Sequence, residues 1–493
     1  MPAHRISVLL DEPISTIKPA LHGHFAEHLG ACVEGGIWVR DDCKDIDHIG
    51  GLRRDVVEAL KRISPPVLRW PGGCFADDYH WQDGVGPRAD RPRTVNIHWG
   101  QTIEDNHFGT HEFLNFCKLI GAEPYLAGNM GSGSPREMRD WIEYCNFVGD
   151  STLARRRGAN GSPAPFDVRM WGVGNENWGC GGNMCPEDYA VQYKQFSSYC
   201  RDFGQSKLHL IACGPNSGGK ELHVDWTRKF FKKIGSYSRV HSFAAHYYCG
   251  TAGTATQYNT DQWYELLESA ARVEQVILTH RSAMDEFEVG KKCHLILDEW
   301  GTWHPPTPGT NPQHLWQQNT MRDALVAAIT LDTFHRHADK IAMANIAQLV
   351  NVLQALILTD GPRMVLTPTY HVFDMYQSHK GGQSVRMEIE NNGTASFTAK
   401  DQRHSMSTIS GSASITGKNL TVSLVNAHAT LPAEVELNVG LDGAQLSVLA
   451  HDDITAHNTF DQPSVVTPRS SSARGSTILL PPVSITIVRT GGS

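Results

Sequence analysis

Residues 170–178 (MWGVGNENW) decide the fold prediction. Four apolar residues indicate a short buried strand, and Asn175 and Glu176 follow it, so that a carboxylate lies where the strand gives way to a loop. Residues 295–300 (LILDEW) repeat the arrangement, with Glu299 before a tryptophan. Reactive groups at the carboxyl ends of strands are typical of (β/α)₈ barrels.

The surrounding sequence supplies enough elements for such a barrel. Segments 110–120, 135–147, 186–201 and 315–335 have apolar residues at spacings of three and four, which predicts helices. Short strand-like runs alternate with helical segments at 21–25, 67–70, 123–127, 170–173, 208–213, 242–247, 294–297 and 341–346. Eight such units with polar strand ends favour an α/β fold, a closed (β/α)₈ TIM barrel. The basic stretch 155–165 is predicted to be a solvated loop.

After about residue 377 the pattern changes to an alternation of apolar and polar residues between turn-forming clusters, which predicts a β-sandwich. Residues 6–10 have the same texture and are expected to join it. We therefore predict an N-terminal strand in 1–17, a catalytic barrel in 18–378 and a C-terminal β-sandwich in 379–493.

Composition excludes several classes of function. A chain of 493 residues with a formal charge of −8 lacks the positive face that nucleic-acid binding needs, and it is disfavoured beside anionic lipid. The sequence shows neither a secretory signal nor an apolar run long enough to span a membrane, so a cytoplasmic location is expected. The 11 cysteines favour reduced thiols over a disulfide framework.

Glu176 and Glu299 match the needs of glycoside hydrolysis, which takes a proton donor for the leaving oxygen and a carboxylate on the opposite side of the anomeric carbon. Carboxyl groups about 5–5.5 Å apart give retention, and a wider gap of roughly 6.5–9.5 Å gives inversion. Ends of the fourth and seventh strands can reach the shorter separation. We assign Glu176 as acid/base and Glu299 as nucleophile.

Other polar or aromatic residues near strand ends are expected to bind the sugar. They are Glu27, Cys74, Asn175, His246, Tyr248, Trp303 and Gln348. Trp178 and Trp300 offer further flat faces for sugar rings. Structural alternatives are an ion pair for Glu27, core packing for Cys74 and satisfaction of buried backbone groups for His246, Tyr248 and Gln348.

The chain resembles glycoside hydrolase family 51, the α-L-arabinofuranosidases, over nearly its whole length. The matching segments are 25–30 (FAEHLG), 69–73 (RWPGG), 174–178 (GNENW), 246–248 (HYY), 298–300 (DEW) and 345–351 (NIAQLVN). The resemblance implies a barrel with a C-terminal jelly roll that includes the N-terminal strand. It also implies retaining release of terminal α-L-arabinofuranosyl groups from arabinoxylan, arabinan or oligosaccharides.

The same resemblance implies a homo-oligomer, often a hexamer, and we expect no cofactor and no metal. Two positions depart from the family pattern: Gly301 and Cys74 stand where many members carry asparagine. Both are expected to line the sugar subsite or its rim. The family also includes endo-acting glucanases and xylanases, which is the alternative activity on the same barrel.

Three alternative functions come from other classes of protein. His22 and His24 resemble the first-strand pair of metal-dependent barrel amidohydrolases, but the fifth and eighth strands lack the remaining ligands. Cys180 and Cys185 lack the second pair that a zinc knuckle needs. A non-catalytic carbohydrate-binding protein would use the tryptophans and Glu27 while the paired glutamates are incidental.

Overall fold

A closed barrel of eight parallel strands lies at the centre of the computed structural model, which describes residues 4–219, 222–250, 252–290 and 292–491. The strands are Gly23–Phe25, Val67–Trp70, Glu123–Gly128, Met170–Val173, His209–Asn216, Ser242–Cys249, His294–Thr302 and Ile341–Ile346. Each pairs with its neighbours in chain order, and the eighth pairs with the first. All eight predicted strands are present. The seventh extends further than predicted, so Glu299 lies within it.

An inner layer of apolar side chains closes the barrel beneath the polar strand ends. It contains Val67, Tyr125, Met170, Ile211, Ala244, Ile296 and Met343, which come from seven of the strands. Side chains alternate along a strand, so Leu295 and Leu297 pack outward against the helices while Ile296 joins the inner layer. Asp298 then faces inward as well and accepts a hydrogen bond from Tyr125.

Helices surround the barrel at Arg54–Ile63, Thr110–Ile120, Pro135–Asn146, Thr152–Ala159, Pro186–Tyr199, Val224–Ile234, Thr260–Ala271, Val273–Asp285, Met321–Arg336 and Pro368–Met375. The four predicted helices are among them. The fourth begins at Met321 instead of residue 315, because Thr320 and Asp323 form a reciprocal capping box at that point. Short 3₁₀ turns occur at Pro19–His22, Cys74–Asp77, Trp81–Gly84, Arg88–Asp90, Pro312–His314 and Tyr376–His379.

The prediction of a solvated loop at 155–165 was wrong for its first half. Residues Thr152–Ala159 form a helix whose N-terminus is capped by the Ser151 side chain. Arg157 is buried and donates hydrogen bonds to the backbone carbonyls of Tyr144 and Phe147. The buried guanidinium is thereby solvated by carbonyl oxygens in place of water.

The C-terminal part forms a nine-stranded curled sheet. Its strands in spatial order are Arg469–Ser472, Gln445–Ala450, Ser484–Arg489, Asn419–Asn426, Ile409–Thr416, Gln383–Glu390, His4–Thr16, Ala433–Leu437 and Thr477–Leu480. The N-terminal strand is antiparallel to Gln383–Glu390 and parallel to Ala433–Leu437, which confirms the expectation for residues 6–10. The boundaries at residues 17 and 378 stay a prediction.

Smaller hairpins decorate both parts. They pair His48–Ile49 with Leu52–Arg53, Thr94–Val95 with Ile103–Glu104, Ile357–Asp360 with Arg363–Leu366, and Ala395–Ala399 with Gln402–Met406. Within the described ranges, no helix combines the length and apolar character needed to cross a bilayer.

Polar contacts join the barrel to the sheet. On helix Met321–Arg336, every residue from Met321 to His335 is buried. Its Asp332 accepts hydrogen bonds from the hydroxyls of Ser412, Ser423 and Tyr376. Nearby, His335 contacts both His22 and Ser412. The helix is therefore a shared wall between the two parts.

Candidate active site

Glu176 is placed by a sharp turn after the fourth strand. Gly174 adopts φ +85°, and a Cβ there would lie 2.2 Å from Oδ1 of Asn177, so the turn requires glycine. Glu176 itself has φ 42°, in the left-handed region that few non-glycine residues adopt. Its Oε1 lies 2.8 Å from Nδ1 of His246. The backbone thus presents this carboxylate towards the sixth strand.

Glu299 is buried on the seventh strand and has two donors. Its Oε1 accepts a hydrogen bond of 2.7 Å from the Arg69 guanidinium, and its Oε2 accepts one of 2.9 Å from the Tyr248 hydroxyl. Hydrogen bonds from a charged donor are short and strong. Glu299 is therefore held in one orientation by Arg69 and Tyr248.

The two glutamates converge. A carboxylate oxygen of Glu176, one of Glu299 and a ring nitrogen of His246 all lie within 4.8 Å of one another. The nearest carboxylate oxygens are thus closer than the roughly 6.5–9.5 Å between carboxyl groups that admits a water for inversion.

His246 links three carboxylates. Its Nδ1 contacts Glu176 at 2.8 Å and Glu299 at 3.6 Å, and its Nε2 lies 2.9 Å from Asp298. Burial lowers the pKa of His246, but the charges of Glu299 and Asp298 outweigh burial and raise it to about 10. Both ring nitrogens face acceptors, so His246 is an imidazolium that donates on both sides.

The glutamate environments differ. Burial raises the pKa of Glu176, the hydrogen bond from His246 lowers it, and the negative charge of Glu299 raises it again. The net direction is upward. Glu176 has the raised pKa that a general acid needs, and Glu299 is held by Arg69 as a nucleophile would be.

Arg69 and Asp77 also belong to the site, although no role was predicted for either of them. Arg69 is buried on the second strand and donates to Glu299 and to Oδ1 of Asn175. Asp77 accepts a 2.8 Å hydrogen bond from the backbone N–H of Asn175. Asn175 is thereby oriented, and its buried Nδ2 has no partner among the described residues. The only signal for Arg69 was its place in the segment 69–73.

Glu27 is surrounded by donors and forms no ion pair in the described part of the chain. Its carboxylate accepts hydrogen bonds from Nε1 of Trp99 at 2.9 Å, Nε2 of Gln348 at 2.9 Å and the backbone N–H of Phe75 at 3.1 Å. Burial and the charge of Glu299 raise the pKa of Glu27 to about 7 despite these donors. Trp99 is a contact that the sequence did not single out.

Two glycines allow the loop after the second strand to touch these carboxylates. A Cβ on Gly72 would lie 2.7 Å from Cγ of Glu27, and a Cβ on Gly73 would lie 3.0 Å from Oε1 of Glu299. Any side chain would displace one of the glutamates. These glycines therefore let the backbone approach the two carboxylates closely.

The expectation of reduced thiols was wrong for one pair. Cys74 and Cys180 form a disulfide, while Cys32, Cys43, Cys117, Cys145, Cys185, Cys200, Cys213, Cys249 and Cys293 are free. The cysteines come together because the loops after the second and fourth strands meet at one end of the barrel. Sγ of Cys180 lies 3.7 Å from Oε2 of Glu176. Cys74 is therefore neither core filler nor a free thiol, and it flanks the acid/base candidate.

The three tryptophans have different surroundings. Trp300 is buried and packs against Phe334 and Phe373, so its expected role as a sugar platform was wrong. Trp303 is 36% exposed and meets the Tyr248 ring edge-on at 5.1 Å. Trp178 is half-buried. A cavity of about 640 Å³ is lined by Glu176, Trp178, Tyr248 and Trp303.

Gly301 faces away from this cavity. It adopts φ +147°, and the atoms nearest to a Cβ at this position are Oε1 of Gln354 and the backbone oxygen of Ala347. The backbone conformation accounts for glycine here. An effect of Gly301 on sugar binding stays a prediction.

The first-strand histidines point towards the helices. Nε2 of His22 lies 2.9 Å from Nε2 of His335, and the His24 ring packs 4.7 Å from the Phe373 ring. His22 and His24 therefore do not share a site with His246, which argues against the metal-dependent amidohydrolase alternative. Glu176, His246 and Glu299 are close enough to hold a cation, but His246 and Arg69 already supply positive charge there.

Comparisons with known proteins agree on one family. The family model described as "Alpha-L-arabinofuranosidase 1 domain" matches residues 59–263, and "Alpha-L-arabinofuranosidase C-terminal domain" matches residues 298–484. An intracellular exo-alpha-L-arabinofuranosidase of Bacteroides ovatus is 44% identical over 475 residues, covering 94% of this chain and 90% of that protein.

Two further matches extend this result. An intracellular exo-alpha-(1->5)-L-arabinofuranosidase of Streptomyces lividans is 30% identical over 476 residues, covering 92% of this chain and 70% of that protein. The crystal structure of the GH51 arabinofuranosidase from Xanthomonas axonopodis pv. citri superposes with a TM-score of 0.93 at 39% identity, covering 99% of both chains.

Proposed function

Because the chain belongs to the family 51 α-L-arabinofuranosidases, we propose that it releases terminal α-L-arabinofuranosyl groups by a retaining double displacement. Glu299 is the nucleophile and Glu176 is the acid/base. The observation that carries this proposal is the approach of their carboxylate oxygens to within 4.8 Å.

In the first step a carboxylate oxygen of Glu299 attacks the anomeric carbon while Glu176 gives its proton to the departing glycosidic oxygen. The bond to that oxygen breaks, and an ester links the sugar to Glu299. The raised pKa of Glu176 supports its role as proton donor. Arg69 and Tyr248 hold Glu299 in line for attack.

In the second step Glu176, now ionised, takes a proton from water, and the resulting hydroxide oxygen bonds to the anomeric carbon. The ester bond breaks and Glu299 regains its negative charge. The Glu299 carboxylate returns to the hydrogen bonds from Arg69 and Tyr248, which stabilise it as a leaving group.

Sugar recognition is assigned to buried polar groups around the carboxylates. Nδ2 of Asn175 and Oε1 of Gln348 lack partners among the described residues, so both can bond sugar hydroxyls. The Glu27 carboxylate accepts hydrogen bonds from Trp99 and from the amide of Gln348. Buried unpaired groups reject ligands that lack matching hydroxyls, because desolvation would then be uncompensated. Cys74, His246, Tyr248 and Trp303 complete the proposed sugar-binding set.

The substrates are proposed from the resemblance and the names of the relatives. We assign arabinose-containing oligosaccharides derived from arabinan or arabinoxylan, attacked from the non-reducing end. The two curated relatives are named intracellular and exo-acting, which supports a cytoplasmic location and exo action. A homo-oligomer, expected to be a hexamer, remains part of this proposal. Disulfides are rare in the reducing cytoplasm, so the Cys74–Cys180 bond is unusual for the proposed location.

Activity on aryl glycosides tests the chemistry. We expect the wild type to hydrolyse an aryl α-L-arabinofuranoside in preference to the xyloside, glucoside and galactofuranoside. Glu299→Ala should abolish turnover, and Glu176→Ala should slow release of the sugar from the enzyme, with azide restoring part of the rate. Glu286→Ala, which removes an exposed glutamate, is the control. Unchanged turnover in either active-site variant would defeat the assignment.

A further inference from the structure

The Cys74–Cys180 disulfide borders the acid/base candidate, and its sulfurs take no part in the two steps described above. It joins the turn Cys74–Asp77 after the second strand to the loop after the fourth strand. The sulfurs of both cysteines and a carboxylate oxygen of Glu176 lie within 4.8 Å of one another. All three residues are half-buried, so a small ion can reach them from solvent. Two sulfurs and a carboxylate oxygen are a donor set that binds zinc once the sulfurs are thiolates.

Hydrogen bonds hold the two loops together in addition to the disulfide. Oδ2 of Asp77, in the first loop, accepts a 2.8 Å hydrogen bond from the backbone N–H of Asn175 in the second. The backbone N–H of Gly181 donates to the carbonyl oxygen of Glu176, which folds the second loop back on itself. Breaking the sulfur–sulfur bond therefore leaves both cysteines beside the Glu176 carboxylate. Ligands that are already in place lower the entropic cost of binding an ion.

The charges around Glu176 suit a divalent cation at this position. One carboxylate oxygen, Oε1, lies 2.8 Å from Nδ1 of His246, while the other, Oε2, lies 3.7 Å from Sγ of Cys180. Oε2 can therefore bind an ion without displacing His246. Two thiolates neutralise the ion's double charge, so the occupied site places no net positive charge beside the imidazolium.

Reduction of the disulfide creates the thiol ligands. A dithiol gives two electrons and two protons to the disulfide and itself becomes a disulfide, which leaves Cys74 and Cys180 as thiols. Zn²⁺ then replaces both thiol protons, which pass to solvent. In a tetrahedral site with Zn–S distances of about 2.3 Å, the two sulfurs lie about 3.8 Å apart. Side-chain rotation reaches this separation, because the two Cα atoms are 5.5 Å apart. A reducing cytoplasm, the location proposed above, favours the dithiol form.

We propose that reduction converts the Cys74–Cys180 disulfide into an inhibitory zinc site, with Glu176 as the third protein ligand and water in the fourth position. Zinc bound to Glu176 removes the proton donor of the glycosidase reaction. The disulfide form resists zinc, because thiolates are the metal ligands and a disulfide has none. The site rests on the three side chains, and the inhibition rests on the proposed role of Glu176.

The test compares the oxidised enzyme with enzyme reduced by a phosphine, which gives two electrons to the disulfide and takes an oxygen atom from water. A phosphine is used because a dithiol would itself bind zinc. Equilibrium dialysis should find one more zinc ion per chain in the reduced enzyme than in the oxidised enzyme. The zinc concentration that halves hydrolysis of an aryl α-L-arabinofuranoside should fall about 100-fold on reduction, or ~2.7 kcal/mol. A chelator should restore the activity of the reduced enzyme.

Two variants identify the thiols that hold the ion. Cys180→Ser, treated with the phosphine, should lose both the additional zinc ion and the inhibition. The inhibition is measured as the ratio of rates with and without zinc, so that a changed basal rate does not enter. Cys185→Ser removes an exposed free thiol at the end of the same loop and should respond to zinc as the wild type does. If Cys180→Ser does not fold, mass mapping of alkylated peptides serves instead, because zinc should protect Cys74 and Cys180 of the reduced wild type.

Other outcomes would overturn the inference or separate it from the proposed function. Equal zinc inhibition of the oxidised and reduced enzymes would overturn it, because the ion would then bind without the thiols. Loss of the additional zinc ion in Cys185→Ser would overturn it as well. Dialysis and peptide mapping need no substrate, so an enzyme that binds the additional zinc but hydrolyses no arabinofuranoside would overturn the proposed function while the metal site stands.

Discussion

His246→Asn tests the electrostatic design of the site most sharply. The substitution removes a positive charge that lies 2.8 Å from Glu176, 2.9 Å from Asp298 and 3.6 Å from Glu299. An opposite charge about 4 Å away is worth roughly 4 kcal/mol at an effective dielectric constant near 20. Water entering the site and the remaining charge of Arg69 reduce this value, so the pKa of Glu176 should rise by about 1–3 units.

The assay is the pH dependence of kcat/KM on an aryl α-L-arabinofuranoside. Glu176 must be protonated to act, so loss of its proton sets the alkaline limb of the profile. In His246→Asn that limb should move upward by about 1–3 pH units, with a lower plateau because the carboxyl group is less well oriented. Tyr248→Phe removes a donor to Glu299 but no charge, so it should lower the plateau and leave the limb in place. An unmoved or downward-shifted limb in His246→Asn would refute the reasoning.

Three further predictions concern sugar binding and stability. Glu27→Gln should lower kcat/KM by about 10- to 100-fold, because the new amide N–H₂ must face one of the two donors, Trp99 or Gln348; a kinetic assay showing wild-type efficiency would contradict this. Reduction of the Cys74–Cys180 disulfide, which spans 106 positions, should lower the free energy of unfolding by up to about 4 kcal/mol; an unchanged thermal midpoint in dithiothreitol would count against it. The third prediction is acid destabilisation, because burial lowers the pKa of His24 and His379 from 6.5 to about 3 and holds the pKa values of His22 and His335 well below normal. The contribution of these neutral histidines to the free energy of unfolding is complete above about pH 6.5 and falls as the pH drops towards 3. Between about pH 6.5 and 5.5 the loss is about 1 kcal/mol per histidine. A thermal midpoint that stays flat across that interval would argue against neutral buried imidazoles.

The barrel could be predicted because its signal is local. Each strand is a short apolar run that ends in polar residues, and runs such as Met170–Val173 have the same bounds in the sequence and in the structure. The same regularity predicted that Glu176 and Glu299 both lie at the carboxyl end of the barrel strands. Helix Thr152–Ala159 was missed, because its buried arginine depends on carbonyl groups from other segments.

The contacts that tune the site could not be predicted, because they join distant segments. Nothing in the sequence around Arg69 shows whether this arginine donates a hydrogen bond to Glu299 or is a surface charge. The Cys74–Cys180 bond depends on two loops meeting across the barrel, which spacing in the chain does not encode. Trp300 adjoins the nucleophile in sequence, but the strand pairing is irregular between Leu297 and Trp300, and the Trp300 ring packs against Phe334 and Phe373 of the surrounding helices.

The stereochemistry of transfer tests the central claim most directly. With methanol as acceptor and an aryl α-L-arabinofuranoside as donor, proton NMR identifies the anomer of the methyl glycoside formed by the wild type. Attack by Glu299 followed by Glu176-assisted attack of methanol predicts methyl α-L-arabinofuranoside, the retained product. Formation of the β anomer would show a single displacement and contradict the assigned roles of the two glutamates.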